Sequence, residues 1–322
     1  MPSPHSFDFI SNLASSLGGK SLSCHQLPRT GSKNAVYKVV DLSGQAYALC
    51  LGKRGAENDY INGIHIASQL MKEGLPFPAT LAFDVEGKFS QYPSALMEII
   101  AGRDLEHVLD TLSEQQAQTI AMQAAHAVQV STKVFSGGLG IADPRFGCKL
   151  HEIDYHESVN WYANRVFDRF DLKFDWPHSS AHRERFLCAF EELPRIAPEM
   201  FIWDMAERNI MIDGGQLTGF VDQDSLLTGD RLDTAAMSSA FLAGLGVQHA
   251  EAYTRAWLKE WGALGDSGAV GRFLVYRALH VVNSIAPSRS EEATFANRIP
   301  LPPSDEQRIF AAFAKIKCGV MH

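Results

Sequence analysis

Residues 201–235 read FIWDMAERNIMIDGGQLTGFVDQDSLLTGDRLDTA, and the rest of the chain is organised around them. Two short apolar runs are joined by a turn, with acids at their ends. Phe201, Ile202 and Trp203 lead to Asp204, and Ile210, Met211 and Ile212 follow Asn209. Asp213-Gly214-Gly215 is a hairpin signal, because such steps supply the positive φ that tight turns need. A second run, Leu217 to Val221, ends at Asp222. The pattern predicts Asp204, Asn209 and Asp222 on loops at one rim of a small sheet.

An Asp, an Asn five residues on and another Asp one strand later suit phosphoryl transfer. One carboxylate positions an acceptor hydroxyl and takes its proton. An amide oxygen and a second carboxylate are hard oxygen ligands for magnesium. The order resembles the H-x-D-x-x-x-x-N loop and later metal-binding Asp of kinases. More closely it resembles the aminoglycoside phosphotransferase and choline kinase-like family of protein-kinase-like small-molecule kinases. The matching residues are Asp204, Asn209, Gly219, Asp222, Gly229-Asp230 and Asp233.

Upstream, Thr30-Gly31-Ser32-Lys33-Asn34 lies between two predicted strands, 22–27 and 35–41. A Gly/Ser loop can bring its amides close to phosphates. With Tyr37 and Val39 it resembles the family's nucleotide loop. Residues 46–51 form a third strand, 57–73 a helix ended by Gly74, and 81–85 and 95–100 two more strands. Leu96-Met97-Glu98-Ile99-Ile100 resembles the family's linker, which implies that Met97, Glu98 and Ile100 hold the nucleotide base. Ser113-x-x-Gln116 is a capping box opening a helix to about Lys133. Residues 136–150 are a glycine-rich loop, and 152–192 two helices broken at Asp175-Trp176-Pro177. Three more helices follow over 234–247, 251–260 and 270–285. Residues 287–303 make a surface loop, and Ser304-x-x-Gln307 caps a last helix with Ile309, Phe310, Phe313 and Ile316 inside.

Strands with one helix, then mostly helices, indicate an α+β class. The resemblance implies a bilobal protein-kinase-like fold: a small N-terminal β-sheet lobe, residues 1–98, and a larger, mainly helical C-terminal lobe, residues 99–322. It also implies Asp204 as base, Asn209 and Asp222 as Mg2+ ligands, ATP as donor and a small-molecule acceptor. Asp230 and Asp233 would brace the catalytic loop, Asp233 as a helix N-terminal acid.

The chain departs from the pattern on its cationic side. Cys50 falls where the family carries a phosphate-gripping Lys, and Lys53 lies three residues on. Asn62 or Gly63 falls at the partner Glu, with Glu57 too early. Ile202 replaces the His, and Ala206 a donor after the catalytic Asp. Lys33 or Lys53, together with Arg208, is the expected replacement charge. The departures keep a catalytically weak or inactive nucleotide binder open. Asp222-Gln223-Asp224 also resembles the D-x-D motif of haloacid dehalogenase-like phosphatases, a second alternative.

Other features bound the function. A net charge of −8 argues against a nucleic acid or an anionic membrane as partner. Hydrophobic residues at 46% and charged residues at 20% are ordinary for a globular chain. Five scattered cysteines without a C-x-x-C pair suit reduced thiols in the cytoplasm, and the first twenty residues do not match a secretory signal. Gly19-Lys20-Ser21 is taken as a helix end rather than a P-loop, and His178/His182 as a surface pair. Residues Tyr155 to Trp176 form an aromatic-rich stretch, either helical core or pocket wall. Glu207 and Asp224 permit a cationic acceptor, and a solvated acidic rim equally. The acceptor itself and the oligomeric state are not encoded in any motif found.

Overall fold

In a computed structural model the described residues are 6–25, 29–30, 34–53, 55, 57–135, 142–143, 148–149, 155–222, 226–287 and 298–316. They fall into two compact units. The first comprises Met1–Gly102 with Thr218–Ser225, the second Arg103–Leu217 with Leu226–His322.

The first unit contains α1 (Phe7–Gly18), β1 (Leu22–Cys24), β2 (Arg29–Thr30), β3 (Ala35–Asp41), β4 (Ala46–Leu51), α2 (Glu57–Lys72), β5 (Thr80–Asp84) and β6 (Ser94–Glu98). The sheet order is β1-β3-β4-β6-β5, with β2 on β3, and every pairing is antiparallel. Alternation along β3 sends Tyr37 and Val39 inward and Lys38 outward. Tyr37 pairs opposite Leu49. These residues, with Leu22, Leu51 and Leu96, form a core against Ile10, Leu13 and Ala14 of α1. Ser6 caps α1 by accepting the Phe9 N–H, and Gly19 ends it in the left-handed region at φ 63°. Lys20 beyond it pairs with Asp41, 2.9 Å away, which accounts for this lysine as a helix-end residue. The first strand ends at Cys24, short of the expected 27, and residues 26–28 lie outside the described set.

The second unit contains β7 (Arg103–Asp104), α3 (Glu114–Val134), β8 (Ala142–Asp143), β9 (Cys148–Lys149), α4 (Tyr155–Lys173), β10 (Phe174–Asp175), α5 (Ser179–Glu191), β11 (Glu199–Ile202) and β12 (Ile210–Asp213). β13 (Gln216–Phe220) carries the chain from this unit into the first. After it come β14 (Leu226–Gly229), α6 (Leu232–Leu245), α7 (Ala250–Glu260), α8 (Ser267–Ile285), β15 (Ile299–Pro300) and α9 (Pro303–Phe313). The Ser113/Gln116 capping box is formed, a feature worth about 1 kcal/mol. α6 is buried on nearly every side because Ala and Ser let α7 and α8 approach closely. β11 pairs with β14, and β12 with β7. Gly214 and Gly215 both have positive φ, 55° and 77°, as a two-residue hairpin turn requires.

Three expectations need correction. The last helix begins at Pro303, with Pro302 before it and no side-chain cap, so Ser304 lies inside the first turn. Proline is pre-organised for a helix start and removes the need for a Ser cap. Phe310 is 42% exposed, whereas Ile309, Phe313 and Ile316 are buried. His182 is buried against Trp176 and Phe313 rather than at the surface, and burial lowers its basicity. Most of the aromatic stretch is core, including Phe167, Phe170, Phe174 and Trp176, while Trp161 is exposed. Among the described residues no helix is long and apolar enough to cross a membrane.

Candidate active site

In the second unit β11 delivers the chain to Asp204. The strand is pinned before that point, because the buried Ile202 N–H donates to the Ser131 hydroxyl of α3 at 3.0 Å. The chain then turns tightly, with Met205 N–H donating to the Trp203 carbonyl at 2.8 Å. A 3-10 turn over Glu207–Asn209 follows, closed by Asn209 N–H to the Ala206 carbonyl at 2.9 Å. The Asn209 side chain donates from Nδ2 to the Asp204 carbonyl at 3.0 Å. Its Oδ1 is thereby turned away as an acceptor. The Arg208 guanidinium lies 3.3 Å from the Asp204 carboxylate and over the Phe241 ring. Asp204, Arg208 and Asn209 are thus gathered on one turn.

Glu207 does not form part of a solvated rim: it is buried, with Oε2 meeting no protein donor. Burial pushes its carboxyl up to about 7, aided by Glu106 and Asp204 and opposed by Arg208 and its own backbone N–H. Tyr253 faces it, raised by burial and by the Glu207 charge.

Asp230 and Asp233 stand behind this turn, both buried. Asp230 accepts from Leu232 N–H at 3.1 Å and Arg272 Nε at 2.7 Å. Burial raises its carboxyl against the pull of those two donors. Asp233 lies in the first turn of α6, but its carboxylate serves more than the helix end. It accepts the Trp203 indole N–H at 3.2 Å and pairs with His280 Nε2 at 2.8 Å. Trp203, Ser131, Arg272 and His280 escaped sequence reasoning. A histidine inside the apolar run Ala278-Leu279-His280-Val281-Val282 was the available signal.

The first unit gathers the other candidates. Residues Thr218 to Phe220 pack against the residues before β5 and just after β6. Phe220 N–H donates to the Pro76 carbonyl at 2.9 Å, the Phe220 ring lies tilted against Phe77 with centroids 5.4 Å apart, and Thr218 donates to the Ala101 carbonyl at 2.6 Å. A Cβ on Gly219 would stand 2.7 Å from the Pro76 oxygen and 2.9 Å from Ile100 Cγ2, so glycine is required there. Three residues on, Asp222 has φ 60°, the one positive φ at a non-glycine among the described residues. Such strain concentrates at functional positions.

Cys50 lies beside Met97, Sγ to Sδ 3.8 Å. Burial, then the nearby Asp222 charge, pushes its thiol up to about 12, so it carries no charge at neutral pH. Met97 is half-buried, while Glu98 is exposed with its N–H bonded to the Ala79 carbonyl at 2.9 Å. Ile100 lies beyond the strand rather than in it. Lys53 is exposed past the end of β4, and Asn34 is half-buried just before β3. Glu57 starts α2 and accepts the Gly55 N–H at 3.1 Å, while Asn62 and Gly63 are half-buried within that helix. Gly31, Ser32, Lys33 and Asp224 lie outside the described residues.

The antiparallel sheet unit, the helical unit and an Asp-x-x-x-x-Asn turn define a protein-kinase-like phosphotransferase fold. A family model, the phosphotransferase enzyme family, matches residues 25–266. The chain belongs to that family, whose members are small-molecule kinases. Among solved structures it is similar to a thermostable mutant of aminoglycoside phosphotransferase APH(4)-Ia crystallised with AMP-PNP and hygromycin B. Identity is 15%, TM-score 0.64, with 97% of this chain and 99% of that one covered. It is also similar to the amicoumacin kinase hAmiN in complex with AMP-PNP, Ca2+ and Ami. There identity is 11%, TM-score 0.60, and coverage 89% and 86%. No curated protein matches the chain.

Proposed function

We propose that the chain is an ATP-dependent kinase that transfers the γ-phosphoryl group to a hydroxyl of a small molecule. The observation that carries this is the single turn holding Asp204, Arg208 and Asn209 together, in a chain of the phosphotransferase family. The nucleotide complexes of the similar structures support ATP as donor.

In this mechanism Asp204 orients the acceptor hydroxyl and takes its proton. The acceptor oxygen forms a bond to the γ-phosphorus as the bond to the β,γ-bridging oxygen breaks, releasing ADP. Catalysis is mainly positioning and charge stabilisation. Asn209 Oδ1 and the Asp222 carboxylate are hard oxygen donors of the kind magnesium takes, and the Asn209 amide is already oriented by the Asp204 carbonyl. Bound there, Mg2+ would neutralise charge on the phosphates. Residues 31–34 would cover the phosphates, with Lys33 or Lys53 adding charge. Met97, Glu98 and Ile100 would hold the base, and Cys50 would stand on the phosphate side without supplying charge. Arg208 would turn from Asp204 to the γ-phosphate. The proposed setting is cytoplasmic, a reading that rests on five scattered cysteines without a C-x-x-C pair.

A non-catalytic nucleotide binder is the second reading, favoured by the uncharged Cys50 at the position expected to be cationic. Family membership favours either reading over a D-x-D phosphatase. Differential scanning fluorimetry with Mg-ATP tests nucleotide use. Ligand at about 100 times Kd stabilises by about 2.7 kcal/mol, so a clear rise in Tm is expected. Asn209→Ala and Asp222→Asn should abolish its magnesium dependence. A Tm indifferent to nucleotide would contradict both readings.

A further inference from the structure

Outside the proposed catalytic groups, one buried side chain has a polar contact that packing does not call for. His280 is fully buried in the middle of α8. An aliphatic residue would fill the position without desolvating a polar ring. Its Nδ1 meets no protein partner, so the imidazole makes one hydrogen bond from the ring: Nε2 to Asp233 Oδ1, 2.8 Å. The tautomer with the proton on Nε2 fits this contact.

The other oxygen of the same carboxylate accepts the indole N–H of Trp203. Trp203 immediately precedes Asp204, and its carbonyl accepts the Met205 N–H that forms the turn. Asp233 is itself fixed through its N–H to the Asp230 carbonyl at 2.9 Å, and Asp230 is held by Arg272 of α8. A buried carboxylate keeps one rotamer only while its donors hold it, and its loss of one donor leaves an expensive unpaired acceptor.

We propose that His280 is a positioning residue for phosphoryl transfer: through Asp233 and Trp203 it fixes the backbone that presents Asp204. The proposal rests on the kinase reading given above and extends it to α8. His280 touches neither substrate nor nucleotide. Its removal acts on the orientation of Asp204, hence on the chemical step, and leaves nucleotide affinity alone.

The test compares His280→Leu with His280→Gln, whose amide can return an N–H near the Nε2 position. Two readouts are taken on the full chain. The first is acceptor-dependent ADP formation from Mg-ATP. His280→Leu should lower kcat at least about tenfold with KM for Mg-ATP changed less than about twofold, and His280→Gln should recover most of it. The second is the indole 15N–1H spectrum of the five tryptophans, with the Trp203 signal identified by Trp203→Phe. That signal should move upfield in His280→Leu and stay in place in His280→Gln. If His280→Leu does not fold, Asp233→Asn takes its place, with the same two changes expected. An unmoved Trp203 signal, or an undiminished kcat, in the disrupting variant overturns the proposal. A wild-type chain that forms no ADP with any acceptor refutes the kinase reading instead, and the Trp203 signal still decides the link between α8 and the turn.

Discussion

The Arg208 guanidinium and the Asp204 carboxylate form an ion pair at 3.3 Å, four residues apart on one turn and with the arginine half-exposed. An exposed pair of this kind contributes about 1 kcal/mol or less to stability. Arg208→Ala should therefore leave Tm nearly unchanged. If Arg208 supplies charge to the γ-phosphate, the same variant lowers kcat at least about tenfold. Steady-state kinetics beside a melting curve checks both halves. Unaltered turnover removes Arg208 from the site.

Cys50 brings no charge to the place where a cation is expected, and Asp222 is near it. Cys50→Lys introduces an ammonium there and should tighten nucleotide binding at least about tenfold by calorimetric titration, from added charge complementarity. Cys50→Ala should change affinity less than about twofold. Loss of binding in the alanine variant would mean that the thiol itself contacts the ligand.

Gly219 has no room for a side chain against the Pro76 oxygen and Ile100. Gly219→Ala should cost about 1–3 kcal/mol, seen as a lower urea midpoint, because the Pro76 carbonyl is backbone and cannot yield cheaply. It should also weaken nucleotide binding, since Ile100 is a candidate contact. An unchanged midpoint would show that the segment shifts freely.

The Asp84 carboxylate organises the loop between β5 and β6. It accepts backbone N–H bonds from Lys88 at 2.9 Å, Phe89 at 2.6 Å and Ser90 at 3.4 Å. Burial would raise its carboxyl, but the N–H groups of Phe89, Lys88, Ser90 and Gly87 together pull it below the usual Asp range. A folded pKa below the unfolded one contributes stability above the unfolded value of about 3.9, and that stability is lost as pH falls through the folded pKa. Asp84→Asn should therefore destabilise by about 1–3 kcal/mol at pH 7. The difference from wild type should shrink steadily below about pH 4 in acid denaturation. A difference constant from pH 7 to 2 would contradict this.

Local pattern made much of the fold legible. The apolar runs 35–41 and 46–51 located β3 and β4, Ser113 and Gln116 located the start of α3, and Gly214-Gly215 located the hairpin turn. The spacing of Asp204 and Asn209 pointed to the candidate site, and the structure gathers these two with Arg208 on one turn. Long-range facts were not legible. Nothing local shows Thr218 and Phe220 packing with the first unit, or Asp233 receiving His280 from 47 residues away. Glu207 and His182 look like surface residues by type, yet tertiary packing buries both.

The central claim is that Asp204 presents an acceptor hydroxyl to a nucleotide phosphate. The most direct measurement is ADP formation from Mg-ATP against a panel of amino sugars, macrolides, nucleosides and amino alcohols, run beside Asp204→Ala. At least one acceptor should accelerate ADP release, and Asp204→Ala should reduce that rate at least about a hundredfold with the fold intact. Acceptor-dependent release that survives in Asp204→Ala would contradict the account, as would a wild-type chain that binds nucleotide and never turns it over.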